Sequence, residues 1–206
     1  MNHHKNLLAM VGFLLVVGCL AFAQTVPGTN PQTGATTMAQ TEATTDTMSS
    51  SSDRTFMQKA AQGGMAEVEL GKLAEENAQS QDVKAFGKRM VEDHSKAGDQ
   101  LKQVASQEGV TLPSDLDAKD KATKQRLSQL HGDAFDKAYM KDMVTDHRED
   151  VAEFKHESNA GRDPQVKEWA TQTLPTLEEH LKMAEQVDAK VAGTGRASSG
   201  TSMQPQ

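Results

Sequence analysis

Two octapeptides in this chain share a phrase. Residues 90–97 read MVEDHSKA and residues 143–150 read MVTDHRED, so Met-Val-x-Asp-His occurs twice, with His94 and His147 53 residues apart. A degraded third copy, Leu177-x-Glu179-His180, follows. Imidazoles serve as acids, bases and nitrogen ligands for transition metals. A carboxylate belongs with them. Helical steps from Phe56 pass through Ala60, Gly63, Glu67, Leu70 and Ala74, so Glu67 falls on a seam that is otherwise apolar or small. A buried carboxylate must be neutralised, paired or bound to a cation. Glu67, His94, His147 and His180 are therefore candidate ligands for copper, zinc or iron. Met90 and Met143 would favour copper(I) if their sulfurs reach. The competing reading is a hydrogen-bonded polar layer, with Glu67 paired to a protonated histidine and both methionines in the core. Asp93, Asp146 and Glu179 each precede one of the histidines. Neighbouring residues on a helix point about 100° apart, so each acid would serve a histidine of another helix or stay in solvent.

The elements that must position these residues are helices, because no stretch alternates convincingly with period two. Asp53 can cap the first helix and Ser80 the second, whose seam is Val83, Phe86, Met90, Ala97, Leu101 and Val104. Gly109 to Pro113 breaks it. Ser114, with Asp117 three residues on, opens a short helix to about Leu130. Asp133 caps the third long helix, with Phe135, Tyr139, Met143, Asp150 or Val151, and Phe154. Gly161-Arg-Asp163-Pro164 ends that helix and starts the fourth, which carries Val166, Trp169, Leu174, Leu177, Leu181 and Ala184. Tight turns make helices one and two antiparallel neighbours, and likewise three and four. The longer link between two and three can return to the starting end, as in ferritin-like bundles. Glu67, His94, His147 and His180 all lie within about 4 Å of mid-height on their helices, so they can meet in one layer whichever way each helix runs. Pro175 can open the bundle near that layer or merely let the helix wrap its core. Gly63 and Gly64 leave room for a ligand or a close helix contact. His131 and His156 fall near helix ends and read as surface residues.

Outside the bundle, Leu7–Gly18 is an apolar run too short to span a bilayer and suited to the core of a signal peptide. Residues 1–23 are read as that peptide, with cleavage after Ala21-Phe22-Ala23. Val16-Val17-Gly18-Cys19 resembles a lipobox, which would make Cys19 a lipid anchor. Cys19 is the chain's single cysteine, so the mature domain is built without disulfides or thiolate ligands. Residues 24–52 are a Thr/Ser-rich disordered tether and 193–206 a disordered tail, leaving 53–192 as one folded domain. A net charge of −7 with 4% aromatics excludes nucleic acid as a natural partner. An anionic membrane surface fits equally poorly.

Five stretches carry a family resemblance: Ala66-Glu67-x-Glu69-Leu70-Gly71-Lys72-Leu73-Ala74, Met90-Val91-x-Asp93-His94-Ser95, Phe135-Asp136-x-x-Tyr139, Met143-Val144-x-Asp146-His147, and Leu174-Pro175-x-Leu177-x-x-His180-Leu181. Over about residues 53–190 the chain resembles the bacterial family known as domain of unknown function 4142, whose members often carry an outer-membrane label. The resemblance implies an all-α, ferritin-like four-helix bundle, with the short extra helix in the crossover between helices two and three. It implies no activity. Di-iron ferritins use Glu-x-x-His on two helices, whereas Val91, Val144 and Leu177 precede the histidines here. No spacing supports a hydrolase triad. The expectations are therefore an exported, non-catalytic envelope bundle, structural or binding an envelope protein partner, or a metal-handling or storage protein using the four residues above.

Overall fold

The computed structural model describes residues 50–197, with side chains to residue 193. The expected leader and most of the tether lie outside the described residues. Five helices follow in order: α1 Ser51–Asn77, α2 Gln81–Gln107, α3 Ala118–Leu127, α4 Gly132–Ala160 and α5 Pro164–Ala197. No strand occurs among the described residues. The four long helices form the expected ferritin-like bundle, and α3 is the extra helix of the crossover. Among the described residues, no helix is long and apolar enough to cross a membrane.

Several boundaries move for local reasons. Ser50, not Asp53, caps α1; Asp53 sits at the third helical position and completes a capping box with it. That frees Asp53 to accept hydrogen bonds from the backbone N–H groups of Arg162 and Asp163, at the start of α5. Asp136 on α4 does the same for α2, accepting from Gln79 and Ser80 at 3.1 and 2.8 Å, while the Ser80 hydroxyl caps nothing. Each acid satisfies orphan donors of a helix far away in sequence. The short helix is shorter than its sequence suggests, because Asp117 rather than Ser114 is its cap, accepting from the Asp120 N–H. His131 precedes α4, and Gly132 takes the left-handed φ of 59° that lets the chain turn into it. Asp163 caps α5 as expected, accepting from Gln165 and Val166. α5 runs on through Gly193 to Ala197.

The apolar core is in two parts. The upper cluster joins Leu70 and Ala74 of α1, Phe86 and Met90 of α2, Tyr139 and Met143 of α4, and Ala184 and Val187 of α5. The lower joins Phe56, Leu101, Phe154, Val166, Trp169 and Leu177. Each cluster takes the late half of α1 or α2 with the early half of its partner, and α4 and α5 do likewise. α1 and α5 thus run one way, α2 and α4 the other, and the crossover spans the bundle's length. α1 and α2 approach closely at Gly71 and Gly87. A Cβ on Gly71 would stand 2.6 Å from the Gly87 carbonyl oxygen, and one on Gly87 would stand 2.6 Å from the Ala74 Cβ. α3 lies against α1 and α4, tied by Lys124–Glu69 at 2.7 Å and by Arg126–Asp142.

Candidate metal centre

Between the two apolar clusters lies a polar layer. His94 from α2, His147 from α4 and His180 from α5 are 7%, 0% and 1% exposed, and Glu67 from α1 is fully buried. The imidazole centroids are 5.8 Å (His94–His147), 5.3 Å (His94–His180) and 5.4 Å (His147–His180) apart. One ligand atom from each ring lies within 4.8 Å of the other two. The repeated phrase thus does bring its histidines together, and the degraded third copy joins them.

Two of the rings have their tautomers set by a hydrogen bond. Nδ1–H of His147 donates to the Met143 carbonyl at 3.0 Å, which leaves a lone pair on Nε2. Nε2–H of His180 donates to Asp93 Oδ2 at 2.8 Å, which leaves Nδ1 bare. Burial and the hydrogen bonds from Arg89 and His180 act on Asp93 in opposite senses; the hydrogen bonds prevail and keep its carboxyl below the usual range. No described partner takes up His94 Nε2, His147 Nε2 or His180 Nδ1. Three buried histidines on three helices, each with a ring nitrogen that meets no described hydrogen-bond partner, could hold a metal ion. Burial, reinforced by the neighbouring His180, depresses His147 to about 4. Burial also lowers His94 and His180, which favours the neutral rings that metal ligation requires.

Glu67 is in the layer but outside that set. Its Oε1 lies 3.7 Å from Nδ1 of His147, the nitrogen already engaged by Met143. Neither of its oxygens meets a described donor. Its companions are acids: burial raises Glu67 well above the usual carboxyl range, and Asp146, Asp150 and Asp120 raise it further. Asp146 can share a proton with it. Among the three flanking acids, Asp93 therefore serves a histidine of another helix. Asp146 faces Glu67, and Glu179 is exposed, 3.7 Å from Arg89. Met90 and Met143 pack in the upper apolar cluster.

A family model described as a domain of unknown function (DUF4142) matches residues 37–187. The chain belongs to the DUF4142 family. A search of curated proteins returns no match. Among solved structures, this DUF4142 chain resembles the crystal structure of a DUF305 fragment from Deinococcus radiodurans, with a TM-score of 0.62 and 16% identity over 69% of this chain and 99% of that one. At that identity the likeness speaks for the fold alone. Sequence reasoning about the DUF4142 bundle placed Tyr139 on its seam but not its buried hydroxyl, which finds no described partner, and it missed Asp150 as a neighbour of Glu67. Asp150 was one of two residues that satisfied the α4 seam, and its acidity was the available signal.

Proposed function

We propose that this protein binds one transition-metal ion through His94, His147 and His180 and acts in metal handling or storage. The observation that carries the reading is the meeting of three buried histidines: one ligand atom of each lies within 4.8 Å of the others, and each ring holds a nitrogen with no described partner. Leaving them unsatisfied costs roughly 1–3 kcal/mol each, which an ion would relieve. Three imidazoles suit zinc, copper or iron and leave one coordination position for water or cargo. The carboxylate of Asp93 behind His180 orients that ring and raises its basicity. A 2+ charge buried here also needs neighbouring negative charge, and the Asp93 carboxylate is placed to supply it.

The reading as a non-catalytic structural or partner-binding bundle has one observation in its favour: acids and histidines of the layer pair with one another, Asp93 with His180 and Glu67 beside His147. It leaves three nitrogens unexplained. Export to the periplasm or outer membrane, an envelope protein partner and a lipid anchor at Cys19 are supported only by residues 1–23. The deciding experiment is elemental analysis of protein purified from its own compartment without tag or chelator, beside His94→Ala/His147→Ala. About one metal per chain, lost in the double variant, is expected. Metal-free protein that gains no stability from zinc, copper or iron would overturn the proposal.

A further inference from the structure

A cavity of about 500 Å³ lies in the lower half of the bundle, against the histidine layer. Leu101, Phe154, Trp169 and Leu177 give it apolar walls, His94 and Asp150 interrupt them, and charged residues of both signs, Asp99 and Lys102 among them, also line it. Liquid water occupies about 30 Å³ per molecule, so the space accommodates a hydrated ion. Asp150 has no hydrogen bond or ion pair among the described residues, and it stands one helical turn from His147.

His94 differs from its two companions. It is the most exposed of the three and the one that lines the cavity. His147 is held by the Met143 carbonyl and His180 by Asp93, whereas no described hydrogen bond holds the His94 ring. Beside it stands Gly64, where a Cβ would be 4.0 Å from His94 Nδ1, so that residue puts no side chain against the ring. Of the three rings it alone faces the cavity and has no described hydrogen bond to hold it in place.

We infer that this cavity is the port through which an ion enters and leaves the three-histidine site, with Asp150 receiving it and His94 swinging aside to admit it. The inference rests on the metal-binding reading above and adds a route to it. A hydrated cation entering the cavity exchanges part of its water shell for an oxygen of Asp150, whose carboxyl burial and the neighbouring Asp146 hold above the usual range, so its proton passes to solvent as the ion arrives. It then passes to His94 and closes onto His147 and His180, which are already oriented.

The test is kinetic and uses the full chain with Zn²⁺ as probe. Uptake is followed from a weak chromophoric chelator and release into an excess of a strong one. Gly64→Leu fills the space beside His94, and Leu101→Trp fills the cavity from the opposite wall should the first variant lose helix content. Both are expected to keep one Zn²⁺ per chain and to slow uptake and release alike by about tenfold, as obstruction of a gated step does. Asp150→Asn should slow uptake by about threefold or more. Damage to the ligands themselves would speed release, so slowed release separates a blocked port from a broken site. Normal stoichiometry with unchanged rates in the filled variants overturns the port and leaves the metal site standing. Absence of Zn²⁺ binding by the wild-type chain overturns both.

Discussion

Asp93 on α2 accepts the Nε2–H of His180 on α5 at 2.8 Å, and the same carboxylate holds Arg89. The acid thus fixes a ring on a different helix from the histidine beside it in sequence. Asp93→Asn keeps the shape but loses the charge that holds His180. Zinc or copper affinity, measured by chelator competition, should fall about 10–100-fold. Glu179→Gln, altering an exposed neighbour, should leave affinity unchanged.

His147→Leu should show that the layer is built for binding rather than for stability. The substitution removes a fully buried nitrogen without a partner and keeps similar volume. Metal-free protein is expected to gain about 1 kcal/mol, seen as a rise of about 3 °C in thermal midpoint. The stabilisation that added metal gives the wild type should vanish in the variant.

Glu157 predicts a pH dependence away from the histidines. Burial, the neighbouring charge of Asp53, a hydrogen bond shared with it and then Asp163 raise its carboxyl from 4.5 to about 7. In that interval the folded chain holds a proton that the unfolded chain has released. This contribution to stability is therefore complete below 4.5 and lost as pH rises through about 7. Glu157→Gln should match the wild type in thermal midpoint at about pH 4 and exceed it at about pH 8. A constant difference across that range would refute the assignment.

The two helical glycines between α1 and α2 should behave oppositely to Gly63. Gly71→Ala places a methyl 2.6 Å from the Gly87 carbonyl oxygen and forces the helices apart. Denaturant titration should show a loss of about 2 kcal/mol. Gly63→Ala meets nothing within 4 Å and should add about 0.5–1 kcal/mol through helix propensity.

The helices were legible because their seams and punctuation are local: Phe56 to Ala74 by period, Gly161 to Pro164 by turn chemistry. Mid-height counting placed Glu67 and the three histidines in one layer for the same reason, since each needs only its own helix. Division of labour within the layer was not legible. That Glu67 stands behind His147, on the nitrogen already bonded to Met143, depends on rotation about α1 and on side-chain torsions. Nor could the cross-bundle duties of Asp53 and Asp136 be read, because their partners lie 110 and 57 residues away. Periodicity carries no information at that range.

The histidine layer separates two apolar clusters that share every long helix but not one another's side chains. The helices and the packed rings of the layer couple the halves, and either half can loosen while the other holds. An ion bound to α2, α4 and α5 would rivet them at the seam. Amide exchange near the layer would then slow on loading while the backbone path stays the same, so the protein would report metal through its breathing rather than its shape.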